Sequence, residues 1–230
     1  MPDIRYAKPA FDVGFATNHL AGFRLLFETQ LKLEYDQLAK LGGGFHQHRW
    51  KQGQSIVKVN HARDALEATP PGGYRGLTLA FTLAAAVSTP DGAPIHLKRM
   101  DDIDLELNAV TADLAAFARF YGNMLGLAPD GRNGFRLGRS RIVAKKGKTR
   151  RIDDWRARGL RYMTVQVYDC DSVMAALGDA GAEIGAPPRT LGQVRYGFVR
   201  DFDGNWIEIS ERASLTGKPV PTDEGAPRLR

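Results

Sequence analysis

Two stretches of this 230-residue chain, LLFETQLKL (25–33) and RFYGNMLGL (119–127), follow one pattern at a constant offset of 94 positions. The same offset sets Asp12 over Glu106 in the apolar runs that precede them. Repetition on this scale means duplicated supersecondary units, none of which buries its hydrophobic face alone. FDVGFAT (11–17) and DIDLELNAV (102–110) read as strands, each followed by an amphipathic run. Leu20, Phe23, Leu26, Phe27 and Leu31 recur at helical spacing after Asn18, a candidate N-cap. Leu114, Phe117, Phe120, Tyr121 and Leu125 do the same after Thr111 or Asp113.

A third copy begins at RYMTVQV (161–167) and continues into a helical DSVMAALGDAGAEI, with Gly181 as its stop signal. A second correspondence joins TPDGAPIHL (89–97) to FDGNWIEI (202–209), with Asp91 over Asp203, Ile95 over Ile207 and His96 over Glu208. Asp-Gly between alternating apolar runs marks a hairpin. The chain therefore divides near residue 100. The expected N-terminal domain, 1–100, holds a full unit (11–62) and a reduced, helix-less one (74–98). The expected C-terminal domain, 101–212, holds units 102–147 and 159–210, and 213–230 is a flexible tail rich in Pro, Gly and charge. Units one and two are expected to pair, as are three and four, with exchange between units or between chains as the alternative.

A composition of 43% hydrophobic and 25% charged residues is that of an ordinary globular protein, and no apolar stretch approaches a membrane span. The N-terminus lacks the apolar run of a secretory signal. Cys170 is the single cysteine, which fits a reducing, cytoplasmic setting. Flanked by Asp169 and Asp171, its thiol should be raised in pKa and structural rather than catalytic. The net charge of +6 is concentrated between Arg139 and Arg161, where ten Lys or Arg face two Asp. Without interleaved aromatics or a nucleic-acid motif, this segment reads as a solvated linker; a polyanion partner ranks last. There is no P-loop, GxGxxG, GxSxG or CxxC, and GGGF (42–45) reads as a turn between strands.

The order strand–helix–three strands, duplicated, with FYGNMLGL closing a helix and DFDGNWIEIS as the last hairpin, resembles the vicinal-oxygen-chelate superfamily. This is the glyoxalase, bleomycin resistance protein and extradiol dioxygenase group. The resemblance covers most of 11–212 and is strongest over 103–210. It implies an α+β fold in which duplicated βαβββ modules form two half-open barrels, with the second module of the first half reduced. It also implies a metal-dependent enzyme (a ring-cleaving dioxygenase, lyase or isomerase) acting on a small oxygenated molecule. The alternative is a metal-free protein of the bleomycin-resistance type that binds or sequesters a ligand. A homodimer is compatible with either.

Carried over residue by residue, Glu208 falls on the family's last-strand glutamate, while Glu106 and Tyr162 fall on first-strand positions where histidine is usual. Residues 97–230 contain no histidine. Two carboxylates and a phenol would suit Mg²⁺ or Mn²⁺; otherwise Glu208 accepts hydrogen bonds in a metal-free pocket. In the first half, Asp12, His46, His48, His61 and His96 are candidate ligands for Zn²⁺, Fe²⁺ or Mn²⁺, His46 and His48 sharing one strand face. His19 reads as a surface helix residue. Glu208 and His96 are the candidate general bases. Tyr162, Gln166, Tyr196, Phe198, Arg200 and Trp206 are the candidate substrate contacts, an aromatic wall with an arginine suited to a planar or anionic ligand.

Overall fold

The computed structural model describes residues 3–131 and 133–223. The first unit runs β1 (Tyr6–Thr17), α1 (Leu20–Arg24), β2 (Tyr35–Gly42), β3 (Phe45–Gln52) and β4 (Ser55–Ala62). The reduced unit comprises β5 (Tyr74–Ala80), β6 (Ala85–Ser88) and β7 (Pro94–Lys98). The third contains β8 (Leu105–Thr111), α2 (Leu114–Ala118), β9 (Ala128–Pro129), β10 (Gly134–Leu137) and β11 (Ser140–Lys146). The fourth contains β12 (Gly159–Val167), α3 (Cys170–Asp179), β13 (Glu183–Leu191), β14 (Val194–Arg200) and β15 (Trp206–Arg212), followed by α4 (Ala213–Thr216). The fold is α+β, built from duplicated βαβββ-like modules, and the second module lacks its helix. No helix among the described residues is long and apolar enough to cross a membrane.

The 94-residue offset holds at the level of hydrogen bonds. Both α1 and α2 last five residues and then widen into a π-helical turn, Leu25–Gln30 and Arg119–Met124. The turns close through Leu31 N–H to Leu26 C=O and Leu125 N–H to Phe120 C=O, at 2.8 and 2.9 Å. Asp113 caps α2 by accepting from Ala115 and Ala116 N–H. Asn18 does not cap α1. Its amide instead spans to the carbonyls of Ala62 and Asp64 and the N–H of Leu66, tying down the exit of the first unit. The apolar stripes pack as their spacing demands: Phe15, Phe23, Phe27 and Trp50 form a chain of tilted and edge-on rings, all fully buried. Each such side chain contributes about 1.5–3 kcal/mol by leaving water.

The pairing of units differs from the expected one. The strand order β13-β14-β15-β12-β1-β4-β3-β2 joins the first unit to the fourth in a curled sheet. The order β6-β7-β5-β8-β11-β10-β9 joins the second to the third in a less closed one. Units one and two thus lie in different sheets, as do units three and four, and the division at residue 100 separates sheet partners. The physical reason lies in β1 and β12. Both are long, apolar on one face and antiparallel, with Val13 opposite Met163. Each also pairs in parallel with the last strand of its own unit, Val13 with Val57 and Met163 with Ile207. An offset of 150 therefore superposes unit one on unit four, so Asp12 matches Tyr162 and Lys58 matches Glu208.

Polar latches hold the sheets together. Tyr121 donates to Asp201 at 2.8 Å and meets Tyr74 at 3.0 Å, while Asn205 accepts from Gly73 N–H at 2.9 Å. Burial pushes the Asp201 carboxyl up to about 6 against the hydrogen bonds it accepts. Part of the excess charge of 139–161 is spent within the fold: Arg139 pairs with Asp104, Arg141 with Glu106 and Arg151 with Glu183. Of the expected tail, α4 and residues 217–223 lie against the protein, with Asp223 accepting from Thr190 N–H, and 224–230 lie outside the described residues. Cys170 is buried and its thiol is pushed up to about 12, by burial more than by Asp171.

This pairing makes a specific claim about the halves. A fragment of residues 1–100 lacks β12 and β8, so its far-UV circular dichroism should show no cooperative thermal transition. Mixing it with 101–230 should restore one.

Candidate functional site

A cavity of about 860 Å³ opens on the concave face of the eight-stranded sheet. Strand alternation decides what faces it. In β4, Lys58 and Asn60 point inward while Val57, Val59 and His61 point to the helices; in β3, Gln47 points inward while His46, His48 and Trp50 do not. From the fourth unit come Tyr162 and Thr164 on β12, Tyr196 and Phe198 on β14, and Glu208 and Arg212 on β15.

At its centre, the fully buried Lys58 donates to Glu208 Oε2 at 2.8 Å and to Thr164 Oγ1 at 2.7 Å. Thr164 donates in turn to the same carboxylate oxygen at 2.6 Å. Burial opposes ionisation of Glu208, but Lys58 and Thr164 together hold its carboxyl below the ordinary range. Burial likewise lowers the Lys58 ammonium, countered by Glu208 and Asp12. Asp12 is buried; burial is outweighed by Lys8, Lys58 and the Ile56 N–H, which accounts for its lowered pKa. Asn60 donates to the Tyr162 hydroxyl at 2.9 Å, and Gln47 to Asn60 at 2.9 Å. Burial raises the Tyr162 phenol far above its usual value and keeps it neutral. A Cβ at Gly14 would overlap the Tyr162 ring, so only glycine leaves that ring its place.

The apolar side is an aromatic cluster. Trp155 stacks on Phe198 (centroids 4.8 Å apart, planes at 22°), and Tyr162, Tyr196 and Trp206 meet Phe198 edge-on at 5.7–6.2 Å. Ala39 and Leu41 of the β2–β3 hairpin and Leu191 of the β13–β14 hairpin form the rim, with Thr222 and Asp223.

The expected site residues are divided by this arrangement. Glu208, Tyr162, Tyr196 and Phe198 line the cavity, and Asp12 lies behind it. Gln166 shares the concave face but is buried, its Oε1 without a partner among the described residues. Trp206 backs Phe198 and donates to Ile152 C=O. Arg200 stacks on Trp206 (3.8 Å) and pairs with Asp153 and Glu183, so it is not the arginine of the cavity. The histidines do not converge with Asp12. His46 and His61 are opposite one another and, with His48, occupy the outer face, because one step of strand register reverses a side chain's direction. His19 is bound to Asp91 at 2.8 Å. His96 and Glu106 face a separate shallow depression of about 650 Å³ on the other sheet, where Glu106 is held by Arg141 and Thr78. Two candidate general bases, Glu208 and His96, are thus in different sites.

Sequence reasoning missed Lys58, Gln47, Trp155 and Arg212. Lys58 had a signal, a lysine amid SIVKVNH whose partner had to be acidic if its face was buried. A lone tryptophan in the charged segment RIDDWR was another, since its indole needs an apolar surface supplied from elsewhere.

The donor set does not suit a divalent ion. At the two last-strand positions related by the 150-residue offset, one residue is Glu208 and the other an ammonium bonded to it. The first-strand positions hold Asp12 and a neutral phenol. Among the described residues no group of three His, Cys, Asp or Glu is placed to hold a metal. If the ion pair carries the site, Glu208→Gln should lower stability by about 3–5 kcal/mol at pH 7, the cost of leaving a buried charge unpaired. Because the folded pKa of Glu208 is depressed, its contribution is present above its unfolded value near 4.5 and lost as pH falls through the folded one. Urea denaturation of wild type and variant should therefore converge in acid.

Residues 105–209 match the model of the Glyoxalase/Bleomycin resistance protein/Dioxygenase superfamily. Among solved structures, the V278E mutant of glyoxalase I from Zea mays aligns with a TM-score of 0.71 at 12% identity, over 94% of this chain and 95% of that one. Glyoxalase I from Zea mays aligns at 0.65 and 12% identity over 90% and 92%. A proposed dioxygenase from Bacillus subtilis subsp. subtilis str. 168 aligns at 0.65 and 8% identity over 94% and 86%. At these identities the likeness is one of fold. No curated protein matches the chain significantly.

Proposed function

The chain belongs to the Glyoxalase/Bleomycin resistance protein/Dioxygenase superfamily, and from that premise we propose that it binds a small organic molecule in the cavity of the eight-stranded sheet without a metal ion. The observation that carries this reading is the ion pair Lys58–Glu208. A metal-dependent dioxygenase, lyase or isomerase, expected first from the family resemblance, would need Glu208 as a ligand. Here its carboxylate is bonded to Lys58 and Thr164, and no histidine faces it. The ammonium supplies internally the positive charge that a chelated ion would supply, and it does so fully buried, behind the cavity wall.

The remaining lining fits a planar, partly apolar guest. Trp155 and Phe198 present stacked faces, the Tyr162 and Tyr196 rings close the sides, and Gln47 adds a hydrogen-bonding edge. Aromatic walls with few polar groups give orientation as well as affinity. Trp155 comes from the irregular connection between the two sheets, so guest binding would be felt by that segment.

A thermal-shift screen of planar aromatic compounds tests the proposal. Binders should raise Tm by an amount set by concentration over Kd, equally with and without EDTA, and be recovered chemically unchanged. Trp155→Ala should abolish the shift. About one equivalent of Mn²⁺, Fe²⁺ or Zn²⁺ retained by the protein and lost from Glu208→Gln would overturn the metal-free reading.

A further inference from the structure

We infer that the guest is an anion, an aromatic carboxylate whose ring lies against Trp155 and Phe198 and whose charge is taken by Arg212, with Lys40 at the rim. This inference rests on the metal-free pocket proposed above and adds the sign of the ligand's charge. Four charged side chains line the cavity: Lys40, Glu208, Arg212 and Asp223. Both acids are already neutralised, Glu208 by Lys58 and Asp223 by Arg195. Neither base has a carboxylate within ion-pair distance among the described residues, and neither donates a side-chain hydrogen bond there. Among the described residues the cavity therefore presents two uncompensated cations and no uncompensated anion.

Arg212 is the inner of the two. It sits on β15 two residues beyond Ser210 and is half-buried, and its Nε is shielded from solvent without an acceptor. A desolvated guanidinium N–H without a partner is costly, and a carboxylate meets it in two parallel hydrogen bonds. Arg212 lines the same cavity as Trp155 and Phe198, and its charge acts on Glu208 and Tyr162. Arg49, on the same face of β3, adds positive potential but is engaged by Asp36 at 3.3 Å. Two residues before Arg212 on the same face of β15, Ser210 is buried, and its Oγ, a hydroxyl that can donate, lacks a partner among the described residues.

The experiment compares 2-naphthoate with its neutral isostere 2-naphthamide, by tryptophan fluorescence titration of the whole chain at about 50 mM salt. Wild type should bind the acid at least about tenfold tighter than the amide, as expected for one desolvated charge-assisted contact. Arg212→Gln should erase that ratio by weakening the acid far more than the amide. Lys40→Gln, at an exposed rim position that carries no fold, should reduce it by a smaller, salt-dependent factor. Equal binding of acid and amide by wild type, or an unchanged ratio in both variants, would overturn the anion inference and leave the aromatic pocket standing. Failure of wild type to bind either compound would instead remove the pocket reading, and the inference with it.

Discussion

The contact between Lys58 and Glu208 fixes more of this structure than any other single interaction. An ammonium fully removed from water is tolerated only where a carboxylate and a further acceptor meet it, and here both come from a unit 150 residues away. Satisfying Lys58 therefore demands that the first unit lie beside the fourth, with β1 against β12 and in the register that opposes Val13 to Met163. A slip of one residue would send Lys58 and Glu208 to opposite faces. The buried pair adds little net stability by itself, but it penalises every alternative pairing of the units.

The same register explains why the concave face is polar at its centre and aromatic at one end. Lys58 and Glu208, related by the 150-residue offset, are complementary residues, and Gly14, opposite Tyr162 across β1 and β12, leaves that ring its room. Duplicated units first supply like residues to both halves of a shared site. In this structure one half carries the positive charge that balances the other's carboxylate.

Much of the fold was legible because it depends on local signals. The apolar stripes at helical spacing, the cap at Asp113, the Asp-Gly hairpins and the duplication all act over a few residues or through exact repetition. Part of the candidate site was legible too: the family resemblance pointed to Glu208 and Tyr162, and a strand's period of two to Tyr196 and Phe198, and all four line the cavity. The histidines illustrate the limit. His46 and His48 do share a face, but nothing local says which face the sheet will curl around, and it curls around Gln47. Arg200 and Arg212 lie on neighbouring strands, and only the positions of Asp153 and Glu183 decide that the first is paired, while the second lines the cavity with no ion pair among the described residues.

By itself, then, the sequence determined the kind of units, their number and the reduction of the second, since these follow from propensity and hydrophobic period. The tertiary structure alone decided which units share a sheet, and hence which residues meet in the cavity. Each unit offers the same apolar face and the same first strand to any partner, so local chemistry is degenerate among the pairings. The degeneracy is lifted by contacts between residues far apart in the chain, above all a buried lysine that only one partner unit can satisfy.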